Sequence, residues 1–406
     1  MSHTVNTLLS SLRSGEWQQP SVLLYVMAAA MPFSFGVWSA LINNFAIEYA
    51  AFDGADMGAL QSLREVPGFL SFTVIFLLFI FREQTLAVVS LLIMGFGVVI
   101  TGFLPSFWGL CFTTLLMSIG FHYFEAVNQS LQLQWLSKSE APKMLGRMIA
   151  VGSISSLFAY GMVYLALEYS GMSMITVYMI GGGVTMLLAV IAWSMFPHYP
   201  AKVEQNKTLV LRKRYWLYYL LEFMSGSRRQ IFVVFAGFLM VEKFGFTASE
   251  IALMFLANMV ANIFIAPQIG KLIGHIGERS TLSIEYLGLI LVFVGYALVD
   301  SAAWAVALYI LDHLFFAMAI AKKTYFQKIA DPADIAPTAG ISFTISHIAA
   351  VVVPIGFGLI WLKSPAAVFY AGAAMAAVSL VLARLVPENP KEGGETTLTK
   401  AILPAT

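Results

Sequence analysis

Apolar residues run along this chain in long, nearly unbroken stretches instead of alternating with polar ones. A stretch of about 20 such residues can cross a bilayer as a helix. Continuous runs also argue against barrel strands, which alternate apolar and polar positions. Twelve such stretches are predicted, at 21–49, 56–81, 84–104, 107–136, 144–169, 171–196, 215–243, 247–275, 279–300, 302–330, 335–362 and 365–386. In chain order these are spans one to twelve. Several exceed the minimum length, so tilt or extension beyond the hydrocarbon is expected.

The polar segments divide the twelve into two groups of six. The one conspicuous linker, 197–214, is polar, contains Pro197 and Pro200, and ends in Arg212-Lys213-Arg214. The expected organisation is an N-terminal six-helix bundle at 1–196, a basic cytoplasmic linker at 197–214, a C-terminal six-helix bundle at 215–387 and a cytoplasmic tail at 388–406. A faint repeat joins the halves. Ala55-Asp56-Met57-Gly58-Ala59-Leu60 matches Ala248-Ser249-Glu250-Ile251-Ala252-Leu253 at a shift of 193. Ala141-Pro142 with Gly146 matches Ala336-Pro337 with Gly340 at a shift of 194–195. Agreement on one offset fits parallel repeats of six spans.

Basic residues set the orientation. With both termini cytoplasmic, the inner side collects Arg13, Arg82, Lys138, Lys143, Arg147, Lys202, Lys207, Arg212, Lys213, Arg214, Lys271, Arg279, Lys328, Arg384, Lys391 and Lys400. The outer loops hold Lys243 and Lys363. This asymmetry is the positive-inside pattern and requires an even number of spans. The expected location is a membrane of the bacterial inner (cytoplasmic) type.

Composition narrows the function classes. Of 406 residues, 59% are hydrophobic and 11% charged, against roughly 25% charged in soluble domains. Too little polar surface is left for a soluble globule. A net charge of +1 offers no basic patch for nucleic acid. The single cysteine, Cys111, lies in an apolar run, which leaves no intramolecular disulfide and no cysteine metal cluster. The polar start through Gln19 precedes a segment too long for a cleavable signal. No nucleophile elbow, zinc-protease helix or phosphate-cradling loop is found. The reading is therefore neither an enzyme nor a self-contained ATP-driven pump, with no cofactor and no metal expected.

The informative polar residues are those deep inside the spans. A charge at the centre of a membrane helix costs about 2.5–3.5 kcal/mol, so it faces a protein interior or a watery cavity. Residues three, four and seven apart share a helix face. On span two this groups Gln61, Arg64, Glu65 and Gly68; on span four, His122, Glu125, Gln129 and Gln132. Span seven aligns Tyr218, Glu222, Ser225 and Arg229, with Arg228 turned away by about 100°. Span ten is expected to put Asp312, Lys323 and Gln327 together, and span five offers Ser153, Ser156 and Tyr160. Lys322 and Lys323 fall near the inner surface, where long basic side chains reach water.

Six plus six spans, a central basic linker and a parallel repeat together resemble the major facilitator superfamily of secondary transporters. The resemblance covers nearly the whole chain in architecture and little of it in sequence. The family's Gly-x-x-x-Asp-x-x-Gly-Arg-Lys loop shrinks to Arg82-Glu83-Gln84 between spans two and three. Between spans eight and nine it is better kept, as Gly270-Lys271-Leu272-Ile273-Gly274-His275-Ile276-Gly277-Glu278-Arg279, with Gly274 where the family usually has Asp. The resemblance implies that spans one, four, seven and ten line a central cavity, that two, five, eight and eleven flank it, and that the rest face lipid. The deep charges on spans two, four, seven and ten agree, and span nine carries only Glu285 near its start.

Candidate roles follow. Trp38, Asn43, Gln129, Arg229, Asp312 and Lys323 are candidate solute contacts, Arg229 because a guanidinium grips a carboxylate or phosphate through paired hydrogen bonds. Trp38 is also read as packing and Asn43 as an interhelical hydrogen-bonding residue. Glu125, with Glu65, His122 and Glu222, is the candidate set for carrying a coupling proton. His122 packed as a neutral ring, and Arg64–Glu65 as a structural pair or a tether to span eleven, are the competing readings. His347 on span eleven is read as structural or pore-lining. Gly270, Gly277 and Arg279 are the gating candidates that the resemblance implies.

The expected function is a monomeric secondary transporter moving a small organic solute by alternating access, coupled to protons, with an anionic substrate or export both open. A lipid or lysolipid flippase of the same fold, or a transporter-like sensor that moves nothing, are the alternatives.

Overall fold

The computed structural model of the protein describes residues 17–398 except 53, 202, 207 and 247. Arg13, Lys202, Lys207 and Lys400 of the basic asymmetry lie outside the described residues. Within them the regular elements are helices. Span one is Pro20–Ala50, opened by a proline whose missing N–H costs nothing at a first helical turn and closed by Ala51 in the left-handed region at φ 53°. Span two begins as Gly54–Phe69 and carries Pro67, which has no N–H to donate and crowds the preceding turn. Beyond it the helix tightens over Leu70–Thr73 and resumes as Val74–Leu77. Spans three to six are Glu83–Thr101, Phe107–Trp135, Ala141–Glu168 and Met174–Met195. Ser106 and Ser173 cap spans four and six by accepting from the N–H groups of Gly109 and Thr176 at 3.1 and 3.2 Å, meeting donors the first turn leaves free.

In the second half, span seven runs as Trp216–Gln230, widens to a π-helical turn over Ile231–Ala236, and ends as Gly237–Phe244. Spans eight and nine form the 51-residue helix Ala248–Leu298. At 1.5 Å per residue a straight rod of that length would measure about 75 Å, far more than a bilayer core of about 30 Å. It is broken at Gly277, whose φ of 79° only glycine adopts without strain. Span ten is Ala302–Phe316, tightened over Ala317–Ala319 and continued as Ile320–Ile329. Span eleven is Ile335–Trp361 and span twelve Pro365–Arg384. Eight helices among the described residues are long and apolar enough to cross a membrane, one of them the Leu253–Leu298 segment that carries both spans eight and nine. Spans two and seven are shorter because each is broken, and span eleven, Ile335–Trp361, completes the twelve. The protein is a polytopic all-helical membrane protein of twelve helices in two pseudo-symmetric bundles of six.

The pseudo-symmetry is visible in which helices touch. In the first bundle span one packs on five and six, and span three on four and six; in the second, seven packs on eleven and twelve, and nine on ten and twelve. The bundles meet along two seams related in the same way. Gly146 on span five lies against the Ala266 carbonyl on span eight at 2.5 Å from where a Cβ would stand. Its repeat partner Gly340 on span eleven lies against the Ser71 carbonyl on span two at 3.0 Å by the same measure. The sequence repeat that pairs these glycines therefore marks the two inter-bundle seams, where a side chain would force the helices apart.

At the end of the molecule that carries the linker, the halves are tied together. Gln327 Nε2 donates to the carbonyls of Leu133 and Leu136 at 2.6 and 2.9 Å, joining the ends of spans ten and four. Lys138 Nζ donates to the Lys328 carbonyl at 3.2 Å. The linker itself is anchored to the loop between spans ten and eleven. Buried Asp334 accepts from Arg212 Nε at 3.0 Å and Nη2 at 3.1 Å, from Asn206 Nδ2 at 2.7 Å and from Tyr215 Oη at 3.0 Å.

Candidate functional site

A cavity of about 350 Å³ lies between the bundles, lined by spans one, four and five from the first half and eight and ten from the second. Met27, Met31, Phe124, Met148 and Phe316 supply its apolar wall; Glu125, Asn128, Gln129, Ser153, Ser156 and Lys323 supply its polar groups. Glu125 lies within electrostatic reach of both Lys323 and Arg229, so a carboxylate of one half faces two cations of the other. Gln129 Nε2 reaches the Tyr218 hydroxyl of span seven at 3.5 Å. Arg229 is exposed on span seven while its neighbour Arg228 is 3% exposed, because a step of about 100° along the helix turns the two side chains to different surroundings.

Arg228 sits in a charge cluster inside the second half. Its guanidinium stands 3.8 Å from Glu285 of span nine and 4.5 Å from the ring centroid of Tyr286, and donates to the Ser379 hydroxyl of span twelve. Asp312 is 2% exposed and interacts with Arg228 and Glu285. Beside it, Glu222 accepts from Lys322 Nζ at 3.0 Å, with both side chains buried. A cavity of about 30 Å³ adjoins Ser225, Arg228, Arg229, Glu285 and Asp312, room for a water molecule. The widened turn of span seven starts directly after these arginines, and such turns recur at functional sites.

The second polar cluster lies at the other seam. Arg64 Nη2 pairs with Glu65 Oε1 at 2.6 Å, and Glu65 Oε2 faces His347 Nε2 of span eleven at 3.8 Å. His122 of span four stacks edge-on against His347, ring centroids 5.0 Å apart. Gly68 makes room, since a Cβ there would strike both imidazoles. The backbone adds a further link across the seam, Phe72 N donating to Thr344 Oγ1 at 3.0 Å.

The family model of the Major Facilitator Superfamily matches residues 23–354, most of the chain. The chain belongs to the Major Facilitator Superfamily. Its fold is similar to that of FucP, solved as a Major Facilitator Superfamily transporter in the outward conformation: 14% identity, TM-score 0.73, covering 90% of this chain and 98% of that one. A variant of the E. coli fucose:proton symporter FucP matches at 15% identity and TM-score 0.74 over 90% and 98% of the two chains. The human organic anion transporter MFSD10 (TETRAN) matches at 12% identity and TM-score 0.68 over 89% and 98%. At these identities the likeness is one of fold. No curated protein matches the chain by sequence.

Within this superfamily member the sequence-predicted residues are spread over several places, with Arg229 beside the small cavity of the second half. Glu125, Gln129 and Lys323 share the inter-bundle cavity. Glu222 and Asp312 lie in the buried cluster of the second half, and Glu65 and His122 lie at the seam of spans two and eleven. Trp38 is fully buried among Val37, Leu41 and Phe45, with the Arg64 guanidinium 5.8 Å from its ring, and Asn43 is exposed toward the end of span one. Gly270 of the loop motif lets span eight approach the Pro142 carbonyl of span five. Gly277 makes the break between spans eight and nine, and Arg279 pairs with Glu388 at 3.5 Å.

Two expectations are corrected. Asp312, Lys323 and Gln327 do not work as one face: Asp312 lies in the cluster of the second half, Lys323 in the inter-bundle cavity and Gln327 in the contact with span four. The tightened turn Ala317–Ala319 advances each residue by about 120° instead of 100° and so rotates the two parts of span ten. Lys322 does not reach water; it is 6% exposed and held by Glu222. Arg228, Glu285 and Ser379 were absent from the predicted site. Glu285 was the findable one, the single charge inside span nine, yet its partner comes from span seven and could not be read from span nine alone.

Proposed function

We propose that this superfamily member is a proton-coupled secondary transporter that moves a small organic solute by alternating access. The observation that carries the reading is the cavity shared by both bundles, lined by Glu125 of the first and Lys323 of the second, with Arg229 within electrostatic reach of Glu125. A solute bound there touches both halves and is exposed to one side or the other as they rock. The apolar wall of methionines and phenylalanines accepts an organic framework, and the two cations accept an anionic group on it. Glu125 serves as the protonatable group, because a carboxyl between cations of the opposing half changes its attraction to them when it takes up a proton.

Two further observations support coupling and orientation. The buried cluster holds three carboxyls, Glu222, Glu285 and Asp312, against two cations, Arg228 and Lys322. A buried carboxyl in excess is neutralised by a proton, as an isolated charge there is too costly. The linker carries the basic run, which supports a cytoplasmic linker end; with that orientation, the ties between spans four and ten support an inward-closed state. That FucP is described as a fucose:proton symporter and MFSD10 as an organic anion transporter is in keeping with both readings.

The test is transport in proteoliposomes over a panel of organic solutes. Glu125→Gln is expected to abolish accumulation driven by a proton gradient and to spare counterflow. Equal loss of both removes its coupling role. Arg229→Ala is expected to weaken solute affinity by 10-fold or more, roughly the worth of one charge-assisted hydrogen bond. Complete absence of flux with any panel member overturns the transporter reading.

A further inference from the structure

The seam of spans two and eleven holds three ligand atoms that the transport reading does not use together. One ring nitrogen each of His122 and His347 and a carboxylate oxygen of Glu65 lie within 4.8 Å of one another. The two histidines are 3% and 4% exposed. Their protonation follows from their partners. His347 Nδ1 is 2.8 Å from the Phe343 carbonyl, which only accepts. His122 Nδ1 is 3.0 Å from the Ser118 carbonyl, and the nearby Ser118 hydroxyl already donates to the Arg64 carbonyl. Each neutral ring therefore carries its hydrogen on Nδ1 and turns a bare Nε2 lone pair away from its own helix. His347 Nε2 faces Glu65 Oε2 at 3.8 Å, and Arg64 occupies only the other oxygen, Oε1.

Two imidazole lone pairs and a carboxylate oxygen are all acceptors, and their convergence invites a cation. Two histidines with one carboxylate is also a donor set that transition metals favour, with backbone carbonyls orienting the rings through Nδ1. We propose that Glu65 Oε2, His122 Nε2 and His347 Nε2 form a binding site for a divalent transition metal of the zinc class, with a fourth position open. Metal–ligand bonds of about 2.0–2.2 Å put tetrahedral ligands roughly 3.3–3.5 Å apart. Binding draws the three atoms closer than they now stand. Glu65 and His122 belong to the first bundle and His347 to the second, so the ion fastens the halves together at this seam. The Arg64 guanidinium opposes the cation and keeps affinity below that of a structural zinc site.

Zinc chloride titrated into the purified full chain in detergent at pH 7.5 tests this without any transport assay. The expected result is one equivalent bound, weakened at least ~100-fold in His122→Ala and in His347→Ala, and kept in a His198→Ala/His275→Ala control at exposed positions. Arg64→Gln is expected to bind more tightly than the unaltered chain. On the unaltered chain, zinc raises the unfolding temperature by several degrees and magnesium does not. This second measurement decides the matter if the histidine variants fail to fold. Absence of saturable one-equivalent binding, or undiminished binding in His347→Ala, overturns the site and leaves a shared proton as the occupant. Failure of flux in the solute panel leaves this result untouched.

Discussion

Replacing Lys322 by methionine separates a structural ion pair from a coupling site. Lys322 and Glu222 meet at 3.0 Å with side chains 7% and 11% exposed. Removing one member of such a buried pair leaves the other without compensation, at a cost of about 3–5 kcal/mol. The two single variants are not equivalent, because Glu285 interacts with both residues. Lys322→Met strips the cation from two carboxyls, whereas Glu222→Gln leaves Lys322 with Glu285. Lys322→Met is therefore expected at the upper end of that range and Glu222→Gln at or below the lower. The double variant, neutral at both positions, is expected within about 2 kcal/mol of the unaltered chain. Thermal unfolding in detergent, followed by intrinsic fluorescence, reads these as a fall of roughly 5–10 °C for Lys322→Met and a substantial recovery in the double variant. A double variant as unstable as Lys322→Met, or a Glu222→Gln fall larger than the Lys322→Met fall, refutes the pairing. Proton-driven uptake retained by the double variant removes Glu222 from the coupling set.

Two other outcomes follow from the linker end. Burial raises the Asp334 carboxyl, but hydrogen bonds from Arg212, Asn206 and Tyr215 outweigh it and hold that carboxyl below its ordinary value. A depressed folded value stabilises above the unfolded value of about 3.9 and is lost as pH falls through the folded one. Asp334→Asn should thus lower the unfolding temperature by a constant amount from pH 8 to pH 5, with the difference shrinking below about pH 4; a difference that grows on acidification contradicts this. Gln327→Ala deletes two hydrogen bonds between spans ten and four, about 1–3 kcal/mol of the contact that closes this end. Labelling of a Met148→Cys probe in the inter-bundle cavity, on a Cys111→Ser background, should then quicken by about 5-fold or more; an unchanged rate separates Gln327 from closure.

Much of the architecture was legible because it rests on local properties. Run length and continuity of apolar residues identify a membrane helix without reference to its neighbours, and Pro67 and Gly277 mark breaks through their own backbone chemistry. The repeat of Gly146 and Gly340 was readable as an offset, and its meaning, close approach at the two seams, came from the packing. Phase arguments held in part along unbroken turns: Arg228 and Arg229 differ in exposure, yet Glu222, aligned with Arg229, lies in the buried cluster with Arg228. They failed on span ten, where a tightened turn lies between Asp312 and Gln327.

The sequence by itself determined that this is a twelve-span, two-halved membrane protein with charges held away from lipid, since hydrophobic length and the cost of burying charge act residue by residue. Only the tertiary structure decided which charges meet. Glu285 finds Arg228, Lys322 finds Glu222, and Glu65 and His122 find His347 across the seam of the two halves. These partners come from different helices, up to 282 residues apart between Glu65 and His347, and no helical period relates positions on separate helices. Packing alone brings them together, and at Glu65 the tether to span eleven is where packing converts an ion pair into a three-ligand cluster.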